Sequence, residues 1–109
     1  ALIEFRTSSR AQVDLPVSFA THQVEGLQDG TIYNLSTGGC AVESPTMVET
    51  GTNVALYIHA PGEKFPIAIE LATIQWSGRR EFGARFQVVQ SEEKKRLDRL
   101  VQKLLRPKA

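Results

Sequence analysis

The chain has 109 residues, enough for one domain that buries roughly two-thirds of its unfolded surface. Its hydrophobic share of 41% and charged share of 23% are ordinary for a globular protein, and its apolar runs are too short and too interrupted to span a membrane. The net charge of +1 hides an asymmetry: residues 91–108 hold seven of the 13 Lys and Arg against three acids, leaving six basic and nine acidic residues in 1–90. An acidic body without a broad positive stripe excludes a DNA or RNA polymer as the expected partner; its isolated arginines suit a compact anion instead.

Cys40 is the only cysteine, so no internal disulfide is possible, and a lone thiol suits a cytoplasmic setting. No signal peptide opens the sequence, and it begins at Ala1 without a methionine, as a piece cut from a longer protein would.

Residues 1–10 read as an irregular arm with only Leu2, Ile3 and Phe5 as apolar anchors. Val13, Leu15, Val17 and Phe19 then alternate with polar residues and Pro16, the period of a strand with one face buried. Pro16 cannot donate to a ladder, which predicts a sheet edge or a bulge there. The polar stretch His22–Gly30 is expected to turn the chain, Thr31–Leu35 to form a second strand, and Ser36–Gly39 to end or bulge it. Cys40, read as a small buried residue, starts an extended run to Glu43 that Ser44-Pro45 breaks.

After a polar connection over 48–53, Val54, Leu56 and Ile58 alternate again, and Ala60-Pro61-Gly62-Glu63 signals a turn. Phe65–Trp76 reads as a long strand. Ile67, Ile69 and Leu71 share one face of it, but Ile74 and Trp76 fall on the other, so a bulge near Ala72 is expected to restore the phase. Ser77–Arg80 turns into a last strand marked by Phe82, Ala84, Phe86 and Val88.

From Ser91 the period changes: Leu97, Leu100, Val101, Leu104 and Leu105 recur at three and four, one stripe of a helix. Ser91 is the expected N-cap, Glu92 and Glu93 suit the positive end, and Arg106-Pro107 closes it. These elements predict an all-β fold, a small six-stranded antiparallel β-barrel with a C-terminal α-helix. The expected single domain, 1–109, divides into an arm (1–10), a barrel (11–90) and a helix (91–106). The stripe on the helix is no wider than packing against the barrel requires. Its basic face could also dock a partner domain, a second copy or an acidic membrane surface.

Two stretches carry candidate chemistry. Asn34-Leu35-Ser36-Thr37-Gly38-Gly39 joins short hydrogen-bonding side chains to a glycine pair that lets a ligand approach the main chain. Asn34 and Ser36, two apart, are expected to share a strand face. Arg6-Thr7-Ser8-Ser9-Arg10 places two guanidinium groups four residues apart, on one face of either a strand or a helix. Each planar fork can hold a phosphate in bidentate fashion or pair with guanine O6 and N7. Enzymatic chemistry is not expected. Ser36 lacks the strand–elbow–helix frame of a nucleophile, and His22 and His59 fall on unrelated segments. The chain groups too few His and Cys for a metal, and no glycine-rich loop opens a helix.

Together the two stretches resemble the PilZ domain, a bacterial receptor module for cyclic di-GMP with an Arg-x-x-x-Arg motif followed by an (Asp or Asn)-x-Ser-x-x-Gly motif. Arg6 and Arg10 match the first; Asn34, Ser36 and Gly39 match the second. The resemblance implies the same barrel and helix, cyclic di-GMP as ligand, no other cofactor, and a neighbouring domain or partner protein that receives the signal. It implies that Asn34 and Ser36 hydrogen-bond a guanine and that Gly39 leaves room for it. Phe5 is then placed to touch the ligand, where it could exclude a second, stacked molecule. The rival expectation is a scaffold of the same fold that binds no ligand and acts through its surface.

Overall fold

The computed structural model describes residues 11–105, so the expected arm and the end of the helix at residue 106 lie outside the described residues. The alternating segments form six strands: β1 (Ala11–Thr21), β2 (Val24–Leu35), β3 (Gly39–Glu43), β4 (Asn53–Ile58), β5 (Ile67–Gly78) and β6 (Glu81–Val88). They close into an antiparallel barrel in the order β1-β2-β3-β6-β5-β4, with β1 pairing back onto β4. One helix, α1 (Ser91–Leu105), follows. The architecture is the one the alternation predicts.

Inward-facing residues from all six strands fill the barrel, and at its heart Phe19 of β1 meets Phe82 of β6 edge to face, centroids 5.2 Å apart. Cys40 is part of this core. Leu97, Leu100 and Val101 of α1 complete it, so the helical stripe covers the barrel as expected. Arg96 fastens the helix to the β4–β5 connection, donating to the Pro66 carbonyl (3.1 Å) and pairing with Glu63 (3.0 Å) and Glu93 (3.1 Å). The first helical hydrogen bond runs from the Lys94 N–H to the Gln90 carbonyl (2.8 Å), which makes Gln90 rather than Ser91 the cap.

Other expectations change in instructive ways. Only His22 and Gln23 turn the chain after β1; Val24–Gly30, expected as a turn, continues β2 in register with β1 from Val17↔Gly30 to Ala20↔Leu27. The β2 half of this end of the hairpin has no buried residue, with Leu27 60% exposed, so both of its faces are wet and no period-two signal marks it. Pro16 lies in a strand paired on both sides, not at an edge. The ladder to β4 begins one residue later at Val17↔Ile58, and the register shift falls between Gln12 and Leu15. The Pro16 carbonyl accepts from the His59 N–H (3.0 Å), so the proline's missing donor faces the end of that ladder.

The long strand starts at Ile67 and carries the expected register shift at Leu71/Ala72, which keeps Ile67, Ile69, Ala72 and Ile74 inside. A second shift, between Ile74 and Trp76, turns Trp76 out of the barrel, where it is 44% exposed.

Candidate ligand-binding site

The Asn34–Gly39 segment forms the β2–β3 connection. β2 ends at Leu35 and β3 begins at Gly39, and the Ser36 N–H reaches the Gly39 carbonyl at 2.9 Å to close the turn. The Ser36 side chain, 1% exposed, locks it further: its hydroxyl accepts from the Gly38 N–H (3.2 Å) and donates to the Gly39 carbonyl (3.3 Å). Asn34 and Ser36 therefore do not share a strand face. A register shift between Ile32 and Asn34 and the end of the strand leave Asn34 half-buried and Ser36 buried. Asn34 is engaged in an interaction of its own.

The two glycines do different work. A Cβ on Gly39 would lie 2.5 Å from the Ala84 carbonyl oxygen, whereas one on Gly38 would meet nothing within 4 Å. Close packing of β3 on β6 thus requires a glycine at 39, while the Gly38 carbonyl accepts from the Phe86 N–H at 2.9 Å and ties the turn to β6.

Cys40 and Ala84 point inward, so their neighbours Gly39, Ala41, Gly83 and Arg85 lie on the barrel's outer face. Two rungs run across it. One links Asn34, Ala41, Gly83 and Trp76; the other links Gly39, Arg85, Thr73 and Asn53. Gly39, Ala41 and Gly83 contribute almost no side chain to this face and are themselves buried, between Asn34 on β2 and Trp76 on β5. The indole rests on Gly83, where a Cβ would fall 2.0 Å from the indole nitrogen.

Trp76 and Arg85 border the candidate site although the sequence reading left both out of it. Alternation places Arg85 outside, but only the pairing of β3 with β6 sets it beside Gly39.

Beyond Ala41 on this face, the Tyr33 hydroxyl donates to Glu81 (2.6 Å). Burial, then the hydrogen bond and charge of Glu81, push the Tyr33 phenol up to about 12, so it is a fixed donor at neutral pH. The far end of β3 opens on a cleft of about 370 Å³ lined by Glu43, Ser44, Pro45, Arg79, Arg80 and Glu81.

Arg6, Arg10 and Phe5 lie outside the described residues. The chain enters the described region at Ala11, which pairs with Leu35, while Gln12 pairs with Asn34. The glycine turn and the N-terminal entry of the chain are thus at the same end of β2.

The described residues thus form a closed six-stranded antiparallel barrel with one C-terminal helix and a polar turn closed by Ser36 and Gly39. Residues 4–103 match the PilZ domain family, and the chain belongs to it; PilZ domains are receptors for cyclic di-GMP.

Solved structures agree on the fold. The PilZ domain of CeSA from a cellulose-synthesizing bacterium is similar at 24% identity and a TM-score of 0.70, with 91% of this chain and 100% of that one covered. The inhibitor of motility MotI/DgrA from Bacillus subtilis is 22% identical with a TM-score of 0.73; the similarity covers 94% of this chain and 51% of that one. The PilZ domain of YcgR from Escherichia coli with cyclic di-GMP is 15% identical with a TM-score of 0.74, over 93% of this chain and 92% of that one. No curated protein sequence matches the chain.

Proposed function

We propose that this chain is a receptor domain that binds cyclic di-GMP, performs no chemistry itself, and passes binding to a neighbouring domain or partner protein. The ligand lies over the β2–β3 turn, held by Arg6 and Arg10 from the N-terminal side and by Asn34, Ser36 and Gly39 on the barrel. The observation that carries this reading is the pairing of Ala11 with Leu35 and of Gln12 with Asn34. Arg10 is one peptide bond from Ala11, about 3.8 Å between Cα atoms, and Arg6 is at most about 18 Å away along the chain. Covalent geometry therefore allows both arginines to reach the second motif.

Each group has a task that suits its chemistry. The guanidinium forks take phosphate or the guanine O6/N7 edge, and Asn34 offers both a donor and an acceptor to a base. Ser36, through the hydroxyl that sets the turn, and Gly39, whose lack of a side chain brings β3 close against β6, fix the main chain on which the base lies. Closing of the N-terminal segment over the ligand changes the surface that a partner meets, and the ligand's preference for the closed form drives the shift. The domain works in the cytoplasm, where a reduced Cys40 is at home.

Calorimetric titration tests the reading. Cyclic di-GMP binds, and GMP, with one base and one phosphate, binds far more weakly. Arg6→Ala and Arg10→Ala each lose about 1–3 kcal/mol of binding, the value of a bidentate contact. Equal affinity for the two nucleotides, or no heat from either, sinks the receptor reading and leaves the scaffold of the same fold.

A further inference from the structure

We infer that Arg85 is a third ligand-binding arginine, carried on the barrel itself and reaching the dinucleotide from the β6 side of the glycine turn. The inference rests on the receptor reading above and adds to it a residue outside both motifs. Arg85 is exposed on the outer face of β6 and stands directly opposite Gly39 in the β3–β6 ladder. A Cβ on Gly39 would be 3.5 Å from the Arg85 Cα, so a ligand lying against Gly39 has Arg85 beside it, one strand spacing of about 5 Å away.

Nothing else among the described residues occupies Arg85. Among the described residues no carboxylate pairs with its guanidinium, in contrast to Arg96, which holds Glu63 and Glu93. Its other rung neighbour, Thr73, turns its hydroxyl to Asn53 (2.8 Å). With no partner among the described residues, the exposed guanidinium keeps its five N–H donors available to a flat, acceptor-rich ligand.

Arg85 sits on a strand paired on both sides, so little backbone ordering accompanies its use. Its acceptor is a pair of adjacent lone-pair atoms, which a phosphodiester and the O6/N7 edge of guanine both present.

The test is a titration of cyclic di-GMP into the wild-type protein, Arg85→Ala, Arg85→Lys and Arg79→Ala at one salt concentration. Arg79 is an exposed arginine in the β5–β6 turn at the other end of β6 and controls for the loss of one positive charge. Arg85→Ala weakens binding about tenfold or more, Arg79→Ala leaves it within about twofold, and neither shifts the ligand-free melting temperature. Recovery in Arg85→Lys identifies a phosphate as the acceptor, and no recovery identifies the guanine edge. If wild type binds, Arg6→Ala weakens binding and Arg85→Ala does not, the Arg85 assignment alone is overturned. If wild type does not bind, the receptor reading fails and the assignment falls with it.

Discussion

The two ends of β2 are both polar and glycine-containing, yet they are built on opposite terms. At one end, His22–Gly30 forms the outer part of the β1–β2 hairpin, with Leu27 and Val24 exposed and Gly26 at positive φ (82°). At the other, Asn34–Gly39 folds into a turn whose serine is buried and whose last glycine is pressed against the Ala84 carbonyl. What separates them is where their polar groups find partners, and that a side chain has open space at Gly26 but not at Gly39. The outer hairpin is held by its ladder to β1, by the exposed bond from Gln28 to the Glu25 carbonyl (3.3 Å), and at its base by Ser44 on the Asp29 carbonyl (2.7 Å) and Thr46 on Gln28 (2.9 Å). The inner turn spends its serine hydroxyl, the Ser36 and Gly38 N–H groups and the Gly38 and Gly39 carbonyls on one another and on β6. A turn fixed in that way presents its main chain in one geometry, which is what recognition of a rigid ligand requires.

The contrast breaks most visibly at Gly39. Gly39→Ala forces a Cβ into the backbone of β6 and costs about 2–3 kcal/mol of stability, whereas Gly38→Ala, with open space around its Cβ, changes little. Urea denaturation of the two variants checks this, and equal effects would show that the turn is not held as tightly as its contacts imply. A smaller loss follows from Ser36→Ala. It removes the hydroxyl that accepts from the Gly38 N–H and donates to the Gly39 carbonyl, a cost of about 1–2 kcal/mol, and loosens the turn without touching the barrel. Smallest is Leu27→Ser in the outer hairpin, which removes no buried contact and moves the denaturation midpoint by less than about half a kcal/mol. A Leu27 variant as damaging as Ser36→Ala would mean that the hairpin carries structure of its own.

The same contrast explains what could be read from the sequence. Wherever one face is buried, alternation gives the strand away: Val54, Leu56 and Ile58, or Phe82 and Ala84, fix β4 and β6 nearly to the residue. The slip in phase between Leu71 and Ile74 locates a bulge that the pairing confirms. Val24–Gly30 shows no such signal because neither face is buried, and the two-residue turn there follows from pairing with β1 rather than from composition.

The polar turn at Asn34–Gly39 was legible as a motif, but its workings were not. That Ser36 bonds its own turn, that Gly39 is required by β6, and that Trp76 lies outside on Gly83 all depend on contacts between strands far apart in sequence. Local periodicity carries no record of those.

Hydrogen exchange with and without cyclic di-GMP tests the central claim, that one ligand bridges the N-terminal arginines and the β2–β3 turn. Adding the ligand raises protection in residues 5–11 and in residues 34–40 together, while the buried helix around Leu100 changes less. Protection that rises in the turn but not in residues 5–11 contradicts closure of the N-terminal segment over the ligand. Protection confined to the helix would contradict the site itself.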